Sequence, residues 1–84
     1  MYYVYVLVSE KERDRVYIGK TKDLRKRLEG HNSGKSQFTK SFIPWRLETY
    51  LGFSKENLAS DFEKYLKSGS GFAFMRKRFL PRIN

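Results

Sequence analysis

The sequence predicts an α+β fold, a small antiparallel three-stranded sheet flanked by helices in the order ββαβαα. Three observations lead to it. Two short runs rich in aromatic and β-branched residues, Tyr2 to Val8 and Val16 to Lys20, enclose a wholly polar stretch, as a hairpin requires. Apolar residues recur at helical spacing in separate segments around Leu24 and Leu58. Between those segments, Trp45 to Phe53 alternates as a strand does.

Tyr2 to Val8 is aromatic and aliphatic without interruption, the composition of a strand buried on both faces, so it belongs at the centre of the sheet. Val16 to Lys20 returns antiparallel to it across a flexible tip, Ser9 to Arg15. Alternation puts Val4, Val6, Val16 and Ile18 on one face and Tyr3, Tyr5, Tyr17 and Gly19 on the other. Two tyrosines then lie side by side on adjacent strands. Asp23 is a good N-cap for a helix running to about Asn32, with Leu24 and Leu28 as its apolar pair and Ser33-Gly34 as its end. Arg27 and His31 are four residues apart and project from one face of that helix. Lys35 to Pro44 reads as a polar, basic loop. Ser54 is expected to cap a helix reaching Lys67, with Leu58, Phe62 and Leu66 as its core stripe and Glu63 beside that stripe. Ser68-Gly69 stops it. Ser70 caps a last short helix with Phe72, Met75 and Phe79 inward and Arg76, Lys77, Arg78 and Arg82 outward.

Eighty-four residues make one domain, residues 1–84, because so short a chain cannot be divided between two cores. With 39% hydrophobic and 17% aromatic residues it has enough large side chains to fill a core. The absence of cysteine excludes a disulfide framework and a thiolate zinc site. No apolar run approaches the roughly 20 residues of a membrane span, and the first residues lack a signal peptide's basic region and cleavage site. A cytoplasmic protein is expected. Eighteen Lys and Arg against nine Asp and Glu leave a net charge of +9, which favours a polyanionic partner, nucleic acid above all, with salt-sensitive binding.

Taken singly, the candidate chemical groups are ordinary. Tyr5 and Tyr17 are strand aromatics, Arg27 a solvated helix arginine, His31 a helix-end histidine and Glu63 a surface glutamate within reach of Lys67. Gly30 to Lys35, G-H-N-S-G-K, is one residue short of a phosphate-binding loop and lacks its strand-to-helix setting. Their order along the chain carries more. Tyr3-Val4-Tyr5, then Tyr17-Ile18-Gly19, then Arg27 and His31 on one helix, then Glu63 on the next, resembles the GIY-YIG nuclease family element by element. Further points of likeness are Lys22-Asp23, His31-Asn32-Ser33-Gly34, and the stretch from Phe62 to Gly71, which looks like the small stand-alone bacterial members related to the nuclease domain of excinuclease ABC. One departure is visible: the glycine of the first tripeptide is Tyr3 here.

The resemblance implies a metal-dependent endonuclease acting on DNA phosphodiesters with low sequence specificity, linked to repair or recombination. It assigns catalytic places to Tyr5, Tyr17, Arg27, His31 and Glu63. Glu63 would be the sole protein ligand of Mg²⁺ or Mn²⁺, Arg27 would hold the scissile phosphate, and Tyr17 would be the general base, with Tyr5 and His31 orienting or relaying a proton. A phenol has a reference pKa of about 10, so a tyrosinate base near neutral pH needs roughly 4 kcal/mol of help. Arg27, the cation, or proton transfer to His31 are its sources. Lys20, Lys22, Arg25, Lys26, Lys35, Lys40 and Arg46 are expected to track DNA phosphates, with any sequence selection supplied by a protein partner. A non-cleaving nucleic-acid-binding module of the same fold, and a basic RNA- or ribosome-associated protein, are the competing readings.

Overall fold

The computed structural model describes residues 1–80, and its element order is the expected one. Strands β1 (Tyr2–Ser9), β2 (Val16–Thr21) and β3 (Trp45–Phe53) form one antiparallel sheet in the order β2-β1-β3, with helices α1 (Leu24–Asn32), α2 (Glu56–Lys67) and α3 (Gly69–Arg78) around it. The uninterrupted apolar strand is central, as its composition requires. Each of its faces is covered by a different layer.

Val4, Val6 and Ile18 pack against Ala59 and Leu66 of α2 and Met75 of α3. Tyr5, Leu7 and Trp45 form the second core, closed by Leu24 and Leu28 of α1 and by Phe42 and Ile43. The segment from Lys35 to Pro44 is therefore more than a polar loop. It contains a 3-10 turn at Lys40–Phe42, and its Thr39 is fully buried. The tip at Ser9 to Arg15 is likewise tied down at its base: Ser9 Oγ donates to Phe42 O (2.6 Å) and accepts from the backbone N–H groups of Lys11 (3.1 Å) and Glu12 (3.0 Å).

In β3 the register with β1 shifts between Val6 and Leu7, where Val6 faces Thr49 and Leu7 faces Leu47. The extra residue, Glu48, is a bulge, and it changes which face odd-numbered side chains take. Trp45 and Leu47 consequently join the α1 core, whereas Phe53 joins the α2 and α3 core. One strand thus serves both layers.

Helix α1 follows the sequence reading closely. The Asp23 side chain accepts from the backbone N–H of Lys26 (3.0 Å), and Ser33 ends the helix. Gly34 then takes a left-handed φ of 82°, which lets Lys35 N–H return to Gly30 O (3.2 Å).

The two later helices correct the expected caps and faces. Lys55, not Ser54, precedes α2, and it offers no side-chain acceptor. Ser68, not Ser70, caps α3, accepting from Gly71 N–H (3.2 Å). The helices are joined at that serine alone. This junction is too tight to leave room for a later start. The stripe of α2 is Ala59, Phe62 and Leu66, while Leu58 is exposed. On α3 the inward side chains are Met75 and Phe79, and Phe72 faces out. Leu58 and Phe72 lie about one residue's rotation off the buried line, so apolarity at these positions misleads. Arg76, Lys77 and Arg78 are exposed as expected, and Arg82 lies outside the described residues.

Candidate active site

The sheet face that carries the tyrosines is the one covered by α1. Tyr5 stands opposite Gly19 and Tyr17 opposite Leu7, so the two tyrosines are diagonal neighbours, with ring centroids 6.2 Å apart. The Tyr5 ring leans across Gly19 until its hydroxyl lies over that residue, and any Cβ there would collide with the phenol. Gly19 therefore makes room for Tyr5. Its place in the motif is visible in the sequence, whereas this reason for it is visible only in the fold.

Arg27 and His31 descend from α1 onto the same hydroxyl. Arg27 Nε–H donates to Tyr5 Oη (3.2 Å), and Tyr5 Oη lies 2.9 Å from His31 Nε2. Arginine cannot accept a hydrogen bond, so among the described residues His31 Nε2 is the only acceptor for the buried Tyr5 proton. Nε2 is then unprotonated. The ring proton sits on Nδ1 and is donated to Thr39 Oγ1 (2.9 Å), whose own hydrogen faces Ser36 O (3.5 Å). A directed chain runs from Arg27 through Tyr5 and His31 to Thr39. Trp45 Nε1–H donates to Thr39 O (2.7 Å), and Asn32 brackets the Trp45 backbone with bonds of 3.0 and 2.6 Å. Thr39 and Asn32 were not singled out in the sequence, and no periodicity there could have found them.

Electrostatics follow the geometry. Burial pushes the Tyr5 phenol above its ordinary value, with Arg27 pulling only partly the other way. His31 is held below the ordinary histidine range, first by burial and then by the Arg27 charge, so its imidazole is neutral. Arg27 is raised further, chiefly by its bond to Tyr5. Tyr17 is half-buried beside this chain, its ring centroid 4.7 Å from that of His31.

Glu63 comes from the helix on the other side of the sheet, yet its charge reaches the Tyr5 hydroxyl. Its side chain is 22% exposed and pairs with Lys67 (3.0 Å). Among the described residues no group of three His, Cys, Asp or Glu could cage a metal. A single carboxylate fits a hard cation that keeps its waters and takes substrate oxygens, and it does not fit a metal held by protein alone.

The basic residues divide. Lys22, Arg25, Lys26, Lys35 and Lys40 are exposed around α1 and the loop after it. Lys20 turns instead to α2, donating to Ser60 Oγ (2.6 Å) and pairing with Glu56 (3.4 Å). Arg46 pairs with Glu48 (3.0 Å) and Glu10 (3.4 Å).

Comparison with known proteins points the same way. The family model of the GIY-YIG catalytic domain matches residues 1–77. The UPF0213 protein YsiG of Lactococcus lactis is 40% identical over 68 residues, 79% of this chain and 62% of that protein. A UPF0213 protein of Streptococcus pneumoniae is 41% identical over 64 residues, 75% of this chain and 65% of that one. The match thus spans a little under two thirds of each of these curated relatives. Among solved structures, the UPF0213 protein BH0048 of Bacillus halodurans superposes with a TM-score of 0.54 at 28% identity, covering 92% of this chain and 84% of that one.

Proposed function

Because the chain belongs to the GIY-YIG catalytic-domain family, we propose that it is a metal-dependent endonuclease that hydrolyses DNA phosphodiesters with little sequence preference, acting in repair or recombination. The observation that carries this reading is the convergence of Arg27 and His31 on the Tyr5 hydroxyl, beside a half-buried Tyr17 and within range of the Glu63 charge. A purely structural network gains nothing from keeping an arginine solvent-exposed at its end. A phosphate-binding one does.

The exposed Arg27 guanidinium holds the scissile phosphate by its remaining N–H groups, Nε–H being engaged by Tyr5. Tyr5 keeps its proton, since burial raises its pKa, and it fixes Arg27 in place. Tyr17 is then the phenol left to take the proton from the attacking water. That water's oxygen bonds to phosphorus as the bond from phosphorus to the leaving sugar oxygen breaks. Held by Glu63, Mg²⁺ or Mn²⁺ would supply positive charge for the phosphoryl and leaving oxygens. Lys67 Nζ occupies that carboxylate in this structure.

Glu63→Gln is the decisive variant. It should abolish nicking of forked or nicked DNA in Mg²⁺ or Mn²⁺ while leaving DNA affinity within about twofold, since it removes one charge and no volume. Undiminished cleavage by Glu63→Gln would sink the one-metal mechanism. Binding by wild type with no metal-dependent cleavage on any substrate would leave the non-cleaving module.

A further inference from the structure

A glycine stands inside α1 where the folded chain asks for none. A Cβ at Gly30 would meet no atom within 4 Å, and its φ is not positive. Glycine inside a helix costs about 1 kcal/mol relative to alanine. Neither packing nor backbone conformation accounts for it.

A cavity of about 500 Å³ does lie there, open to solvent between α1 and the loop that follows. Gly30 forms part of its wall with Lys26, Arg27, His31, Lys35 and Ser36. Lys26 and Lys35 are exposed and make no ion pair among the described residues. Asp23, also on the wall, has a carboxylate oxygen committed to the N–H of Lys26.

We propose that this cavity takes one unpaired nucleotide of the strand being cut, next to the scissile phosphate. The phosphate of that nucleotide lies on Lys26 and Lys35, and its sugar and base pass over the bare backbone of Gly30, which is where a missing side chain permits close approach. Tracking a duplex backbone needs only cations on a surface. A concavity of this volume is of the size that encloses a whole small ligand. A base still stacked in a duplex enters only after unpairing, at a cost of a few kcal/mol, so the substrate class is DNA already single-stranded at the cut, as in a flap, fork or gap. The location of the cut rests on the nuclease reading above, but occupancy of the cavity can be measured without cleavage.

The test is the series Gly30→Ala and Gly30→Met, both better helix formers, the second also filling the cavity. Binding is measured by fluorescence anisotropy in EDTA, using a labelled single-stranded oligonucleotide and the corresponding duplex. Thermal midpoints should hold or rise along the series. The single-strand Kd should rise at least about tenfold in Gly30→Met and by less in Gly30→Ala, with duplex Kd changed by under about twofold. Unchanged single-strand affinity in a stably folded Gly30→Met overturns the proposal, and so does an equal loss on both forms of DNA. Nicking of a fork in Mg²⁺ is read separately. A wild type that fails to cut, yet binds single strands through Gly30, refutes the catalytic reading and keeps this one.

Discussion

Proton position decides what each residue of the cluster can do. Tyr5 donates to His31, His31 donates to Thr39, and Arg27 donates to Tyr5. Only Tyr17 is left without a fixed task in that chain. Tyr17→Phe should therefore slow nicking by about 10²–10⁴-fold, the usual contribution of a positioned general base, while the ring keeps its packing and the thermal midpoint stays put. Wild-type rates in a folded Tyr17→Phe protein would remove Tyr17 from the base role. Thr39 fixes the His31 tautomer, so Thr39→Val should leave a buried Nδ1–H without an acceptor, at about 1–3 kcal/mol. Thr39→Ser should retain the Nδ1–H form that Thr39→Val loses, as read from ¹⁵N shifts of the imidazole. His31 also carries a pH signature. Its folded-state pKa is depressed by burial and by Arg27, so the unfolded chain takes up a proton first as pH falls below about 6.5. Stability present above that pH is lost below it. Urea midpoints across that range should fall more steeply for wild type than for His31→Gln, and parallel curves would show that His31 is not depressed.

At the scale of elements, the joint between α2 and α3 makes the sharpest demand on sequence. A Cβ on Gly71 would overlap the carbonyl of Tyr65, whereas one on Gly69 would meet nothing. Gly71→Ala should cost about 3 kcal/mol through overpacking that backbone cannot relieve. Gly69→Ala should be neutral or stabilising by up to about 1 kcal/mol. Equal urea midpoints for the two variants would contradict this account of the joint. The same joint explains what the sequence did and did not disclose. The strands and the first helix were legible because Tyr2 to Val8, Asp23 and Gly34 each act locally, through composition, a cap and a left-handed turn. The caps at Ser54 and Ser70 and the inward placing of Leu58 and Phe72 went astray because α2 and α3 share Ser68, a tertiary constraint that sets both helix starts and rotations. The bulge at Glu48 and the burial of Thr39 left no periodic trace. In the candidate site, the co-location of Tyr5, Arg27 and His31 was legible through spacing and family resemblance together. The hydrogen-bond order among them was not, because it depends on the loop that delivers Thr39.

For the whole molecule, the distribution of charge matters more than its sum. The net +9 includes Lys20 and Arg46, whose charges are already answered by Glu56, Glu10 and Glu48. Lys22, Arg25, Lys26, Arg27, Lys35 and Lys40 make no ion pair among the described residues, and they cluster on α1, the residues just before it and the loop after it. Among the described residues no helix is long and apolar enough to cross a membrane. A face with about six phosphate contacts should lose roughly 10³-fold in DNA affinity between about 50 and 200 mM salt through counterion release. Removing one contact lowers the slope of log affinity against log salt by about 0.9 on duplex DNA. Lys26→Gln and Lys35→Gln should each show that change, while Arg46→Gln should show almost none, because its charge is spent inside the protein. The three slopes, measured by anisotropy on one duplex, separate a localised DNA face from diffuse attraction to a basic chain. If Arg46→Gln flattens the slope as much as Lys35→Gln does, binding follows net charge alone and the face assigned to α1 and its loop is wrong.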